Sequence, residues 1–135
     1  MLRVTDLEVL PGRFSIVKLP TAAHGAVLIG QPASQPAFLA VTDKEISLVC
    51  PTRAVPRTAL AREDGWSLMR LPGEWDFRLV GVLAALTAAL AQASVPVFAA
   101  STFETDYLLV KTANLERAAR ALAEAGIAVH TSPTP

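Results

Sequence analysis

The segment ASTFETDYLLVK, residues 100–111, gathers side chains that could bind a charged small molecule. Ser101, Thr102, Thr105 and Asp106 place hydroxyl groups and one carboxylate around a predicted hairpin turn. A carboxylate in this position can hold a ligand ammonium or guanidinium group through a charge-assisted hydrogen bond. The alternative is a solvated turn whose polar residues only favour the bend.

A second segment with binding chemistry is PGEWDF, residues 72–77, which leads into a predicted helix. At a helix N-terminus, free backbone N–H groups and the positive end of the helix dipole favour a carboxylate. Trp75 and Phe77 could form the walls of an apolar pocket beside it. The alternative is that both aromatic rings simply close the edge of the core.

The sequence shows no recognisable set of catalytic residues. Cys50 is the only cysteine, and the two histidines, His24 and His130, lie far apart in the chain. This pattern matches no zinc site, and no glycine-rich phosphate-binding motif occurs. A Cys–His nucleophilic pair stays open, although a cysteine at a strand end is typically a small buried hydrophobic residue. We therefore expect no metal, no cofactor and no enzymatic activity.

The composition is typical of a globular domain. Of the 135 residues, 52% are hydrophobic and 18% are charged, and the formal net charge is +0. Balanced charge argues against nucleic-acid binding, which depends on a clustered basic face. The longest apolar run, residues 79–91, is too short to span a bilayer, and the start shows no secretory signal pattern. We expect a cytoplasmic protein, no membrane partner and a disordered tail at residues 132–135.

Two blocks of sequence recur in the same order. FSIVKLP at residues 14–20 reappears as WSLMRLP at residues 66–72, and residues 36–49 match residues 96–110 with a one-residue gap that pairs Glu45 with Asp106. The two copies of the second block lie farther apart in the chain than the two copies of the first block. The first half therefore lacks residues between its two blocks. Chance similarity of short apolar strands is the alternative. The conserved order of the blocks favours a true duplication.

The second half predicts the element order βαββαβ. A strand at residues 66–71 precedes an amphipathic helix at residues 77–93, for which Asp76 is a plausible N-cap and in which Gly81 permits close packing. A hairpin turning at residues 103–105 follows, then a helix between Asn114 and Gly126 and a closing strand at residues 127–131. This order predicts a four-stranded antiparallel sheet with both helices on one face, the ferredoxin-like plan.

The first half predicts an abbreviated copy of the same unit. Its first helix is shortened within residues 20–35, its hairpin turns at residues 43–44, and residues 51–57 contain two prolines where a second helix should stand. Residues 58–62 are the expected closing strand. We therefore predict an α+β fold of two ferredoxin-like units: residues 1–64, degenerate, and residues 65–131, complete.

The second half resembles the ACT domain, and more closely the bacterial tandem-ACT proteins related to the arginine-sensing CASTOR family. The resemblance is carried by WSLMRLPG at residues 66–73 and by PVFAASTFETDYLLVK at residues 96–111, which is similar to that family's S-T-[FY]-x-x-D hairpin. AVTDKEISLVCP, residues 40–51, resembles the strand pair of its preceding unit. The similarity spans residues 10–131 and is looser in the first half.

The resemblance implies a regulatory protein that binds a small molecule, usually an amino acid, at an interface between ACT units. Carried over residue by residue, it assigns a loop and a hairpin to the ligand: Gly73, Glu74, Trp75, Asp76 and Phe77 in the loop, and Ser101, Thr102, Phe103 and Asp106 in the hairpin. Asp106 matches the carboxylate that engages a basic side chain in the arginine sensors. Those sensors have four ACT units and this chain has two, so the resemblance implies a homodimer. The alternative is a dimeric protein-interaction module with a degenerate site.

Overall fold

The computed structural model describes residues 6–21, 35–71 and 81–131. The chain divides into two compact units, one of which is inserted into the sequence of the other. One unit, here called the inserted unit, is Gly12–Trp66; the other, the split unit, combines Met1–Pro11 with Ser67–Pro135. This division differs from the predicted one: the change of unit falls after Trp66, and the first residues of the chain belong with the second half.

The described residues form eight strands and two α-helices. The strands are β1 (Asp6–Val9), β2 (Phe14–Leu19), β3 (Phe38–Val41), β4 (Ile46–Pro51), β5 (Ala61–Arg70), β6 (Phe98–Ser101), β7 (Asp106–Lys111) and β8 (Ala128–Thr131). The helices are α1 (Val82–Gln92) and α2 (Leu115–Glu124), and two 3-10 turns lie at Thr52–Ala54 and Thr112–Asn114. The α+β fold class, with ferredoxin-like units, is confirmed.

The inserted unit has the strand order β3-β4-β2-β5, with every pairing antiparallel. Its core gathers aliphatic side chains of β2 and β4, including Val17, Leu19, Ile46 and Leu48. Within residues 51–57 the helical structure is limited to the 3-10 turn Thr52–Ala54, as the prolines predicted. The shortened first helix was predicted within residues 20–35, which lie mostly outside the described residues.

The split unit has the strand order β6-β7-β5-β1-β8. β1, which the sequence did not predict, lies between β5 and β8, where it pairs antiparallel with β5 and parallel with β8. The predicted purely antiparallel sheet is therefore wrong at this one pairing. In the predicted sheet β5 and β8, the first and last strands of the βαββαβ order, would pair directly. In the structure β1 lies between them and pairs with both.

Both helices of the split unit pack on one hydrophobic core. α1 contributes Val82, Leu86 and Leu90, and α2 contributes Ala118 and Leu122, at the 3.6-residue spacing that predicted them. Leu71, which follows β5, and four strand side chains complete the cluster: Leu7, Met69, Leu108 and Val110. Burying a leucine-sized side chain contributes about 1.5–3 kcal/mol, so this cluster is the main source of the unit's stability.

Helix α1 begins later than the sequence predicted. It starts at Val82, and Gly81 is its N-cap with a φ of 87°, a left-handed conformation that no residue inside an α-helix adopts. The prediction of Gly81 within the helix is therefore wrong, and Asp76, the predicted N-cap, lies outside the described residues. Asn114 does hold the N-cap position of α2, but its side chain makes no capping hydrogen bond. Gly126 ends α2 as predicted, with a φ of 87°.

Strand β5 serves both units. The sequence predicted two strands here, residues 58–62 and residues 66–71, with a junction near residues 63–65; the structure has one strand, Ala61–Arg70. Gly65 adopts a φ of 84°, and the register against β2 shifts between Phe14 and Ile16. A glycine at a β-bulge absorbs the extra residue without ending the strand, which is why the junction does not appear as a turn.

The two units share a hydrogen bond at equivalent positions of the internal repeat. The repeated serines, Ser15 and Ser67, are both buried, and each bonds the threonine that opens the 3-10 turn of its own unit. The Ser15–Thr52 and Ser67–Thr112 oxygen–oxygen distances are both 2.8 Å. The repeated phrase thus includes a polar anchor that fixes β2 to the 3-10 turn after β4 and fixes β5 to the 3-10 turn after β7.

The hairpins of the two units also share one register. Phe38 pairs with Val49 and Val41 with Ile46 in the inserted unit, and Phe98 pairs with Leu109 and Ser101 with Asp106 in the split unit. The one-residue gap assumed from the sequence is therefore wrong. Asp106 corresponds to Ile46 and not to Glu45.

Candidate functional site

The turn between β6 and β7 is closed by one threonine. Thr102 accepts the backbone N–H of Thr105 on its Oγ1 at 3.3 Å, and its own N–H donates to the Thr105 carbonyl at 2.8 Å. Thr42 closes the turn of the inserted unit in the same way, with its N–H 3.0 Å from the Glu45 carbonyl. A threonine hydroxyl at the first turn position satisfies backbone donors that the sheet leaves open. Thr102 is therefore needed for the turn itself.

Ser101 and Asp106 form the last pair of the hairpin. They are directly opposite each other, and the Ser101 hydroxyl donates to Oδ1 of Asp106 at 2.5 Å. Ser101 is exposed and Asp106 is half-buried. Within the described ranges, Ser101 is the hydrogen-bond partner of this carboxylate, and Oδ2 remains able to accept a ligand proton. The arrangement orients a carboxylate at the surface, where it can bind a cationic group.

The hairpin turn lies against the end of strand β5. The Leu71 backbone N–H donates to the carbonyl of Asp106 at 3.2 Å, and the Thr105 hydroxyl donates to the Leu71 carbonyl at 3.0 Å. Leu71 is the residue directly before residues 72–80. The hairpin therefore meets the chain at the point where the predicted binding loop begins.

Phe103 lies at the tip of the turn and is 83% exposed. It is the most exposed of the large hydrophobic side chains among the described residues, the others being Val41 and Leu60. The residue at the same turn position of the inserted unit is Asp43, a usual turn residue. Most of the ring surface of Phe103 is therefore accessible to another molecule.

The structure thus brings together the hairpin part of the predicted site: Ser101, Thr102, Phe103 and Asp106. The loop part, made of Gly73, Glu74, Trp75, Asp76 and Phe77, lies outside the described residues. Those five assignments stay predictions.

Sequence reasoning missed a polar row on the sheet of the split unit. Arg70 of β5 bonds Glu8, its Cα partner on β1, and Tyr107 of β7. Partial burial alone would lower the pKa of Arg70, but the hydrogen bond and charge of Glu8, with a further contribution from Tyr107, raise it above its usual value. On β8, Nε2 of His130 lies 2.7 Å from Oδ1 of Asp6. No signal in the sequence predicted this row, because β1 itself was not predicted.

Other features of the described residues offer less to a ligand. Cys50 has no exposed surface, and desolvation by burial, partly offset by the charge of Arg62, raises its thiol pKa to about 11. A groove of about 470 Å³ lies between the two helices but shares no residue with the hairpin; it is lined by Ala89, Gln92, Ala93, Ala121, Glu124 and Ala125. Within residues 6–21, 35–71 and 81–131, no cluster of side chains could hold a metal ion, and no helix is long and apolar enough to cross a membrane.

From β5 onwards, the split unit has the element order β-α-β-β-α-β and a turn that presents a carboxylate at its surface. The family model of the ACT domain matches residues 61–129, just over half of the chain. The chain belongs to the ACT domain family. The bacterial CASTOR-like subfamily predicted from the sequence is a finer assignment that this match leaves open.

Solved structures agree with this fold. A protein from Agobacterium tumefaciens shares 27% identity and a TM-score of 0.79, over 96% of this chain and 94% of that one. A Vibrio cholerae protein of unknown function, described as a possible transport protein, has 18% identity and a TM-score of 0.67, over 90% and 89%. The regulatory subunit of aspartate kinase from Thermus thermophilus has 10% identity and a TM-score of 0.63, over 88% and 95%. No curated protein matches the chain.

Proposed function

We propose that this protein is a non-enzymatic, cytoplasmic regulator that binds an amino acid at an interface between ACT units. Family membership supports a regulatory, ligand-binding role. The likeness to the regulatory subunit of aspartate kinase is a likeness of fold and is consistent with that role. The finer points, namely the amino acid, the interface and the tandem CASTOR-like arrangement, are part of the proposal.

One observation carries the proposal: the hairpin that presents Asp106 is hydrogen-bonded to the end of β5, where the predicted loop begins. Leu71 contacts both Asp106 and Thr105 through backbone groups. An amino acid has a carboxylate and an ammonium group a few ångströms apart, so its site needs donors and an acceptor side by side. The hairpin offers the acceptor in Asp106, and the loop, residues 73–77, would offer the donors.

In this site each hairpin residue has a role. Asp106 would bind the cationic group of the ligand, and Ser101 would hold the carboxylate in position. Phe103 would cover the apolar part of the ligand, which gives a reason for its exposure in the free protein. Trp75 and Phe77 of the loop would form the opposite wall, and a second copy of the chain would complete the site. Ligand occupancy would then change the geometry of the dimer.

Isothermal titration with the twenty amino acids tests the proposal. We expect at least one to bind with a Kd below the millimolar range. Replacing Asp106→Ala should weaken that binding about tenfold or more, because a hydrogen bond to a charged group contributes roughly 1.5–3 kcal/mol.

Asp43→Ala is the matched control, since Asp43 lies in the equivalent turn of the inserted unit and is exposed. It should leave the affinity unchanged. If no amino acid binds below millimolar concentration, or if Asp106→Ala binds as well as the unmodified protein, the ligand proposal is wrong.

The exposure of Phe103 also fits a second function, a dimeric protein-interaction module with a degenerate ligand site. A crystal structure distinguishes the two. If Trp75 and Phe77 of a partner chain close over Asp106, no ligand can enter, and the interaction module is the better explanation.

A further inference from the structure

Helices α1 and α2 end at the same groove. Its volume is about 470 Å³, and its lining consists of last-turn and C-cap residues of both helices: Ala89, Gln92, Ala93, Ala121, Glu124 and Ala125. A volume of this size is in the range of sites that hold small molecules. The hairpin of the candidate site contributes no residue to the groove, so a ligand bound here would occupy a second, separate site.

The groove has open hydrogen-bond acceptors on the backbone. The last carbonyls of an α-helix find no donor within the helix, and the turns that follow α1 and α2 satisfy some of them, including those of Leu90 and Leu122. Within the described ranges, no donor reaches the carbonyls of Gln92 and Glu124, the last residues of the two helices. Each helix therefore ends in an open acceptor on a residue that lines the groove.

The dipoles of the two helices add negative charge at this place. A helix carries about half a negative charge at its C-terminus, which lysine, arginine or histidine in the last turn commonly offsets. Neither α1 nor α2 has a basic residue in its last turn. The two helix ends therefore favour a cation that their own last turns do not supply.

Glu124 adds a full negative charge to the groove. It is the charged residue of the lining, is exposed, and pairs with no basic side chain among the described residues. Arg120 lies one turn before it but contacts Glu116 instead, at 3.6 Å; glutamate four residues before a basic residue is the favoured order of such a pair. Arg117 donates to the carbonyl of Ser94, beyond α1, and does not line the groove. The carboxylate of Glu124 is thus available to a ligand.

The floor of the groove is apolar. Apart from Gln92 and Glu124, the lining consists of alanine. An alanine side chain ends at Cβ, so the space between the two helix backbones stays open to a thin chain of atoms. Methylene groups gain free energy on an apolar surface of this kind, as the stem of a lysine side chain does. A ligand that fits the groove therefore has an unbranched apolar chain and a cationic end.

We infer that the groove binds a primary alkylammonium ion, with the ammonium group at Glu124 and the helix ends and the methylene chain along the alanines. An ammonium group has three N–H donors that point in different directions, which suits acceptors that belong to two different helices. A guanidinium group is planar and pairs best with a single carboxylate, so it fits this set of acceptors less well.

This site is additional to the proposed function and does not rest on it. The amino-acid site uses the hairpin and residues 73–77, whereas the groove uses the ends of α1 and α2. Binding of an amine in the groove would hold even if no amino acid bound at the hairpin. Residue-resolved NMR separates the two sites, because they belong to different stretches of the chain.

Heteronuclear NMR of the isotope-labelled full chain, titrated with pentylamine at neutral pH, tests the inference. We expect saturable shifts of the backbone amides of residues 89–93 and 121–125, with a Kd in the millimolar range that suits an open groove. Pentanol has the same chain without the charge and should bind at least about threefold more weakly.

A second titration distinguishes two sources of the same chemistry. An Nα-acetylated lysine amide presents the alkylammonium chain on a peptide unit. Binding equal to that of pentylamine would add lysine side chains of proteins to the ligands of the groove, and weaker binding would restrict it to free amines.

Two pairs of variants locate the site. Glu124→Gln should raise the Kd for pentylamine about threefold or more, and Glu63→Gln, which removes a charge from an exposed position of β5, should leave it unchanged. Ala121→Leu should block the groove, whereas Ala123→Leu, at an exposed position of the same helix outside the lining, should not. Circular dichroism checks that each variant is folded.

A folded Glu124→Gln variant that binds pentylamine as tightly as the wild type would overturn the inference. So would pentanol binding as tightly as pentylamine, an Ala123→Leu variant that loses as much affinity as Ala121→Leu, or shifts that gather at residues 101–106 instead of at the helix ends. If Ala121→Leu did not fold, the variants of Glu124 and Glu63 would decide alone, because both positions are exposed.

Discussion

The two hairpins of this protein have one backbone plan and different surfaces. Both turns are closed by a threonine, and both strand pairs have the same register. In the inserted unit the closing pair is Val41 and Ile46; in the split unit it is Ser101 and Asp106. Since the fold accepts aliphatic residues in these places, it does not itself require the serine and the carboxylate. The difference indicates which residues of the second hairpin are available for function.

The largest expected effect comes from exchanging the residues of the closing pair. Ile46 is 1% exposed and belongs to the core of the inserted unit. Ile46→Asp would remove its packing and bury a carboxylate, and we expect it to lower the free energy of unfolding by at least about 3 kcal/mol. Asp106→Ile should cost little stability, because the fold already accepts isoleucine at this position in the other unit. Urea unfolding measures both.

These two variants test whether the fold requires the carboxylate of Asp106. If Asp106→Ile destabilised the protein as strongly as Ile46→Asp, the carboxylate of Asp106 would be a structural residue. Its availability for a ligand would then have no support.

The repeated serines should have smaller and unequal effects. Ser15 bonds Thr52 and donates to Oδ1 of Asp64 at 2.5 Å, whereas for Ser67 the hydroxyl partner is Thr112. A hydrogen bond contributes about 0.5–1.5 kcal/mol net, and about 1.5–3 kcal/mol when one partner is charged. Ser15→Ala should therefore lower the free energy of unfolding more than Ser67→Ala does, in denaturant titrations at neutral pH. Equal losses would mean that Asp64 contributes nothing to the anchor.

The turn threonines sharpen the comparison further. Thr42 accepts the backbone N–H groups of both Lys44 and Glu45, and Thr102 accepts that of Thr105. Because these turns are exposed, water can replace part of each lost hydrogen bond. We expect Thr42→Val and Thr102→Val each to cost about 0.5–1.5 kcal/mol, with the larger loss at Thr42. Thermal unfolding of the two variants would contradict this if Thr102→Val were the less stable.

The smallest effect concerns Cys50 of the inserted unit. The equivalent residue of the split unit is Val110. The pKa of the Cys50 thiol is about 11 in the folded protein and near 9.0 without burial. Between these values the unfolded chain ionises before the folded one, so stability that is present below pH 9 is lost as the pH rises towards 11. Cys50→Val should be nearly neutral at pH 7 and should remove this part of the loss. Comparing urea unfolding at pH 8 and pH 10 for both proteins isolates the effect.

Much of the fold could be predicted because its signals are local or repeated. The buried serines stand at the same place in both copies of the phrase, and the leucines of α1 and α2 recur at helical spacing. β1 could not be predicted, since four residues of mixed polarity, Asp6–Val9, become a strand only where β5 and β8 lie on either side. The start of α1 was missed for a different reason: apolar periodicity continues back past Gly81, and only the backbone conformation of Gly81 shows that the helix begins after it.

The part of the candidate site that could be predicted is the turn between β6 and β7. Threonine at position 102 and the polar residues around it predicted a hairpin that presents Asp106, and the structure has that hairpin. The alignment of the two hairpin sequences with each other was not predictable, because shifting one of them by a single residue still matches aliphatic residues with aliphatic residues. Only the strand pairing shows that Asp106 stands where the other unit has isoleucine.

The position of β1 has a consequence for the way the chain is made. Asp6 and His130 are neighbours in the sheet although 124 positions separate them in the chain. During synthesis the inserted unit can close as soon as residue 66 has left the ribosome, whereas the split unit must hold its first strand unpaired with β8 until the last strand emerges. The pairing of β1 with β8 is therefore the step of folding that must wait longest for its second strand.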